Sequence, residues 1–344
     1  MLMTDVISPS AAEWDAFAAA QPGAHVLQSS AWLTLKSAFG WSGARVAIAD
    51  GGALVAGAQL LFKPLPLRLG TMAYLGMGPY GAAGQQEAAL WRAVDDLARQ
   101  HSAAFLKWEP GIVPAGQRPN YAALGFRPSP QTIQPPRTIL IDITGDDEAL
   151  LARMNQGTRR KIRQSLKAGV RYWEAGRDEV ALFTGMMAAT GARNAFGVHS
   201  PAYYTQAYDL FVPGSAALIL AEHEGDPLAG VMVFAAGNTA WYLYGASSNV
   251  KRNLMGAYGV QWAAIQWAKA RGCVSYDLWG IPDEDEAALE AQFESRSDGL
   301  WGVYGFKRGW GGAVVRSEGA FDKVYNGLVY KAYRMAVGRR ASGA

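Results

Sequence analysis

Residues 45–62 read RVAIADGGALVAGAQLLF, and residues 218–234 read LILAEHEGDPLAGVMVF. The first is two apolar runs joined through Asp50-Gly51-Gly52, a strong hairpin signal. The second repeats it. In both, the turn is followed by an apolar residue, Ala-Gly and a run suited to a buried strand: Val55-Ala56-Gly57-Ala58 against Leu228-Ala229-Gly230-Val231. Downstream, TMAYLG (71–76) answers TAWYLYG (239–245), the helical stretch around Trp91 answers that around Trp262, and FLKWEP (105–110) answers YDLWGIP (276–282). Every pairing falls at an offset of about 170 residues, which marks a duplicated hairpin, strand, helix and strand rather than a solenoid repeat. The expected fold class is therefore α/β, two tandem modules that each carry helices on a mixed sheet. The spans are 1–134 for the first module and 135–320 for the second, with a join near Gln134-Pro135-Pro136 and a C-terminal helix over 321–344.

At 344 residues the chain has room for two such cores, and with half its residues hydrophobic it is not a disordered chain. Its 32 Lys and Arg nearly balance 29 Asp and Glu, so total charge names no partner. Their distribution says more. Asn155–Arg177 holds seven basic residues and one acidic, Asp277–Asp298 eight acidic and one basic, and Lys307–Arg340 eight basic and two acidic. At least two positive zones follow. Cys273 stands alone, which excludes an intrachain disulfide and suits a reducing compartment. His25, His101, His199 and His223 lack metal-ligand spacing, so neither metal nor cofactor is expected. Without a signal peptide or an apolar run near the ~18 residues of a span, the expected location is the cytoplasm.

Ser10 and Glu13 form a capping-box pattern ahead of a short helix. Gln28–Phe39 is a second helix, where Lys36 lies one turn after Trp32 and either reaches a cleft or covers the indole. Asp147–Lys167 reads as one helix with Arg159, Arg163 and Lys167 at i, i+4 and i+8. Such like charges repel, and either solvent or an anionic partner relieves them. TGARNAFGVHSPAYY (190–204) is too polar for a core element and suits a cleft. Tyr242, Tyr244 and Ser247-Ser248 end a strand just before a helix, where open α/β sheets bind ligands, although the alternation also fits two faces of a sheet.

The densest candidate is LWGVYGFKRGWGG (300–312), with Lys307 and Arg308 among four aromatics and five glycines. Glycines permit close approach, the aromatics offer stacking faces, and cations meet phosphate or developing negative charge. It reads either as a site or as a glycine-punctuated strand hairpin. Phe321–Arg340 reads as an amphipathic helix, with Val324, Leu328 and Val329 opposite Lys323, Lys331 and Arg334. It either docks on the body or meets an anionic membrane.

Gln28-Ser29 with Trp32 and Lys36, Gly76-Met77-Gly78-Pro79, Arg137-Thr138, Thr158-Arg159 with Ile162-Arg163, residues 190–204, Tyr244 to Ser248, Tyr276-Asp277 with Trp279-Gly280, and Phe306-Lys307-Arg308 with Gly311-Gly312 follow one another in an order and spacing that resembles the FemABX family. These are aminoacyl-tRNA-dependent peptidyltransferases of peptidoglycan synthesis, built from two fused GNAT-type acyltransferase modules. The resemblance covers nearly the whole chain. It implies transfer of an amino acid from aminoacyl-tRNA to the free amine on the stem peptide of UDP-MurNAc-pentapeptide or lipid II, with peripheral contact at the inner membrane surface as an option.

By the same resemblance Lys36, His199, Tyr203 and Tyr244 hold the precursor, His199 standing where many members carry Arg. Lys307 stabilises charge on the ester carbonyl and the departing ribose oxygen. Phe306 stacks on a base of the tRNA terminus, with Arg159 and Arg163 as further tRNA contacts. Glu109 is either a general base or a structural carboxylate. Two other functions stay open. An acyl-CoA N-acyltransferase needs a pyrophosphate loop, which Arg252–Ala257 (RNLMGA) misses by one residue; a noncatalytic tRNA-binding module would use the same basic stretches.

Overall fold

A computed structural model of the protein describes residues 4–81, 84–114, 116–194 and 197–341. In chain order the elements are β1 (Thr4–Ile7), α1 (Ala11–Ala19), α2 (Ser30–Ser37), β2 (Ser42–Asp50), β3 (Ala53–Pro64), β4 (Thr71–Gly76), α3 (Gln85–Gln100), β5 (Ala103–Glu109), β6 (Arg127–Pro128) and β7 (Arg137–Asp142). There follow α4 (Asp147–Arg153), α5 (Gln156–Lys167), β8 (Arg171–Glu174), α6 (Val180–Asn194), α7 (Pro201–Phe211), β9 (Ala216–His223), β10 (Asp226–Ala236) and β11 (Thr239–Ser247). The chain ends with α8 (Gly256–Ala270), β12 (Ser275–Asp277), α9 (Glu286–Gln292), α10 (Trp301–Lys307), β13 (Ala313–Arg316), β14 (Phe321–Val324) and α11 (Gly327–Ala341).

Two compact units result, Met1–Pro136 with Arg316–Ala344, and Arg137–Val315. The sheet of the first runs β1-β2-β3-β4-β5-β14-β6, and that of the second β13-β7-β12-β11-β10-β9-β8. The duplicated stretch has the same topology in both. β2-β3-β4 and β9-β10-β11 are antiparallel meanders, and each ends in a parallel pair, β4 with β5 and β11 with β12. A helix, α3 or α8, makes each crossover, as a parallel connection requires. Beyond the parallel strand each sheet is extended by an antiparallel neighbour from elsewhere in the chain. For β5 it is β14, and for β12 it is β7.

Each sheet buries one face against its crossover helix. In the first unit Leu60, Phe62, Leu75, Trp91, Val94 and Trp108 form the centre, with the Trp91 and Trp108 rings 4.6 Å apart. Val231, Val233, Trp262, Ile265, Tyr276 and Trp310 do so in the second. Burying each such side chain contributes about 1.5–3 kcal/mol, which is why the apolar repeat dictates the architecture.

Three expectations need correction. The basic stretch is two helices, because Met154 is extended and the Asn155 side chain accepts from the Thr158 N–H to start α5 afresh. Residues 301–307 are helical rather than a strand hairpin. The C-terminal segment opens as strand β14; Val324 and Val329 of the expected apolar face pack against Phe105 and buried Tyr330, while Leu328 is 84% exposed.

Candidate active site

Gly309 and Gly311 serve close packing against the α4–α5 break. Asn155 N–H donates to Gly309 O at 3.0 Å, a Cβ on Gly309 would collide with Thr158 Oγ1, and one on Gly311, whose φ is +77°, would collide with the Arg153 carbonyl. Trp310 is fully buried beneath. This anchors the last turn of α10 and sends Lys307 inward.

Lys307 is buried, and its Nζ donates to Gly280 O at 2.7 Å and Trp279 O at 3.3 Å. The Tyr242 ring lies 5.6 Å away. Burial pushes the Lys307 ammonium down to about 7, against the pull of the Asp277 carboxylate. The same burial raises Asp277 to about 6, opposed by the Thr138 hydroxyl, the Trp279 N–H and the Lys307 charge. An ammonium that gives up its proton as pH rises through about 7 is thus held by two fixed carbonyl dipoles.

Phe306 is half-buried, edge-on to Tyr258 at 4.9 Å and to Trp310 at 5.8 Å. Together with Lys307, Tyr242 and Tyr258 it lines a cavity of about 290 Å³. The other wall is the start of α8, Gly256 and Ala257, with Arg193, Lys251 and Arg252 at the rim. Of these, Arg193 falls in the 190–204 stretch expected to line a cleft and Arg252 in the near-miss pyrophosphate loop, whereas Lys251 carried no expectation from the sequence. Arg193 is tied to Ser247 O, Ser247 Oγ and Asn249 Oδ1.

A bulge separates the two tyrosines of β11. Tyr242 stands opposite Val233 and Tyr244 opposite Met232, so Leu243 has no partner. The extra residue turns side chains that the pleat would put on one face onto opposite faces. Tyr242 goes to Lys307. Tyr244 goes to α7, where its hydroxyl lies 3.1 Å from that of buried Tyr203. The exposed His199 imidazole stacks on the Tyr203 ring at 3.8 Å, and its backbone N–H donates to the Tyr204 hydroxyl at 3.2 Å. His199, Tyr203 and Tyr244 therefore do form one cluster.

The remaining candidates divide. Lys36 lies in the first unit, its Nζ 5.4 Å from the Trp32 ring centroid. Burial, and then the neighbouring Lys63 charge, bring it down to about 8. Arg159 turns back to the Met154 carbonyl and caps α4, whereas Arg163 is exposed. Glu109 is buried and accepts from Tyr74 Oη at 2.7 Å, Gln134 N at 3.0 Å and Ile133 N. Of its two readings the bonds favour the structural carboxylate. Thr138 and Asp277 carried no role from the sequence, although they stand in two of the motifs that carry the resemblance, Arg137-Thr138 and Tyr276-Asp277 with Trp279-Gly280.

Among known proteins, this chain is similar to the lipid II:glycine glycyltransferases of Staphylococcus saprophyticus, at 28% identity over 92% of each chain, and of Staphylococcus aureus, at 27% over 93% of this chain and 92% of that one. Among solved structures, the crystal structure of FemX matches with a TM-score of 0.85 at 24% identity, over 95% of this chain and 99% of that. A tandem GNAT protein from the clavulanic acid pathway matches with a TM-score of 0.55 at 15% identity, over 93% and 98%. These two carry the fold: paired GNAT-like modules. The FemAB family pattern itself aligns in consecutive stretches, residues 10–124, 120–226 and 221–337, and a match of that extent through both modules makes this chain a member of the FemAB family.

Proposed function

We propose that the protein is an aminoacyltransferase, moving an amino acid from the 3′ end of an aminoacyl-tRNA to the free amine of the stem peptide of a peptidoglycan precursor. The names of the relatives support lipid II as acceptor and glycine as the residue moved. One observation carries the reading: Lys307, buried beside a cavity walled by Phe306 and held by the Trp279 and Gly280 carbonyls. An aminoacyl ester is already activated, so chemistry needs positioning and a preorganised cation more than a strong base. The neutral stem amine attacks the ester carbonyl, Lys307 stabilises the oxyanion, and the C–O bond to the ribose breaks as the amide forms. Charge then passes to the ribose oxygen, which takes up a proton as the amine loses one.

In this reading Phe306 stacks on the terminal base, and Arg159 and Arg163 with the rim cations Arg193, Lys251 and Arg252 meet tRNA phosphates. Lys36, His199, Tyr203 and Tyr244 hold the precursor. Peripheral membrane contact belongs to the proposal as well: α11 exposes Leu328 and Met335 beside the exposed cations Lys331 and Arg334, a composition that suits an anionic bilayer surface. Among the described residues no helix is long and apolar enough to cross a membrane.

The deciding experiment incubates the protein with mixed charged tRNAs and either UDP-MurNAc-pentapeptide or lipid II, then reads the muropeptide mass. A defined amino-acid increment is expected; an unchanged precursor in both arms would leave a tRNA-binding module. A second reading has one observation in its favour. The start of α8 opens on the cavity, as a helix cradling a pyrophosphate would, so saturable acetyl-CoA binding with acyl transfer would instead make this an acyl-CoA N-acyltransferase.

A further inference from the structure

Lys307 depends on a short piece of backbone whose shape is itself held from below. Trp279 has φ +59°, a left-handed conformation that a non-glycine residue adopts only when its surroundings hold it there. What holds it there is Asp277. Its Oδ1 accepts the Trp279 N–H at 2.7 Å, two residues on, and also the Thr138 hydroxyl from β7. Asp277 sits on β12, paired antiparallel with β7, so the sheet fixes the carboxylate and the carboxylate fixes the turn. The turn aims the Trp279 and Gly280 carbonyls at one point, the Lys307 Nζ.

Resting on the transferase reading of this site, we propose that Asp277, oriented by Thr138, is a positioning residue for Lys307: it locks the carbonyl pair that holds the ammonium and supplies the buried counter-charge that keeps it protonated. Geometry and charge are separable roles. Asn at 277 keeps an oxygen for the Trp279 N–H but removes the charge; Ala removes both. The other ionisable groups toward this cavity are Tyr242 on β11, Tyr258 on α8 and the rim cations Arg193, Lys251 and Arg252. Arg308, next to Lys307, is engaged with Glu290 at 2.8 Å. Glu224 and Asp226 are likewise engaged, by Lys251 at 2.9 and 3.0 Å, and Asp277 is the carboxylate whose charge acts on Lys307 against the burial that lowers the lysine.

The test reads Lys307 directly, without substrate. Labelling with acetic anhydride over pH 5–10, followed by peptide mass spectrometry, titrates the Lys307 amine, with a midpoint near 7 for the native protein. Asp277→Asn is expected to lower that midpoint by about one unit, a tenfold loss of proton affinity, and to move the high-pH fall of kcat downward with it. Asp277→Ala is expected to lower kcat at every pH with KM for both substrates little changed. Thr138→Val, the milder variant should the others fold poorly, is expected to shift the midpoint in the same direction by less. An Asn variant with the native midpoint, or variants whose kcat falls without any shift of the pH limb, would overturn the proposal. A shifted amine titration in a protein that transfers nothing would sustain the Asp277 assignment and sink the transferase reading alone.

Discussion

Lys107 Nζ and Asp322 Oδ1 lie 2.9 Å apart in the core of the first unit, and neither side chain is more than 1% exposed. The pair joins β5 to β14 across 215 residues of chain, with the Tyr330 hydroxyl donating to the second Asp322 oxygen at 2.8 Å and Lys107 also bonded to Gln131 O. The segment after Val315 thereby completes the sheet of the N-terminal module. Removing one partner of a buried, bonded pair leaves the other charge uncompensated and costs about 3–5 kcal/mol. Asp322→Ala should therefore lower the midpoint of denaturant unfolding markedly, while Asp142→Ala, on the exposed end of β7, should leave it nearly unchanged. Equal midpoints would show that β14 is not needed to hold the first unit.

Lys307→Ala should reduce single-turnover transfer at saturating substrates by about a hundredfold or more, the size expected for losing one preorganised donor to an oxyanion. Charged-tRNA affinity should fall much less. Phe306→Ala should show the opposite bias, since a base-stacking face is worth about 1–3 kcal/mol. An unchanged single-turnover rate in Lys307→Ala would remove the lysine from the mechanism.

The pH dependence of the rate has a defined sign. Burial lowers Lys307 to about 7, and only the ammonium stabilises developing negative charge, so transfer should decline as pH rises through that value once the attacking amine is neutral. Lys307→Arg, which cannot lose its proton, should abolish that decline whatever its absolute rate. A native profile still rising steadily through pH 9 would contradict a protonated Lys307.

Lys36→Met should raise the acceptor KM by about one to two orders of magnitude, the worth of a charge-assisted phosphate contact of roughly 1.5–3 kcal/mol. Because burial and Lys63 bring Lys36 to about 8, native affinity for the precursor should also weaken as pH passes 8, and the Met variant should lose that dependence. If KM stays native, the lysine only covers Trp32.

Leu328→Glu on α11 should reduce co-sedimentation with phosphatidylglycerol vesicles and slow transfer to lipid II in those vesicles, without affecting transfer to soluble UDP-MurNAc-pentapeptide. Equal losses on both acceptors, or native vesicle binding, would exclude α11 as the contact.

The repeat of apolar runs determined the two modules, their hairpins and their crossover helices, because burial of a sheet face is written into periodicity along the chain. Ser10 with Glu13 likewise specified the start of α1 through a local capping box. The order of motifs was enough for family membership and for singling out Phe306 and Lys307. What only the folded chain decided depends on partners distant in sequence. Leu243 bulges because β10 and β11 pair out of step, and that alone sends Tyr242 to Lys307 and Tyr244 to Tyr203. Residues 301–307 form a helix that is followed at once by the close packing of Gly309 and Gly311 against the α4–α5 break. Arg159 reaches the Met154 carbonyl only because the chain breaks between α4 and α5. Asp277 acquired its place under Lys307 only when β7 and β12 paired, since a carboxylate's neighbours, and hence its charge, are set by burial and contact rather than by position in the chain.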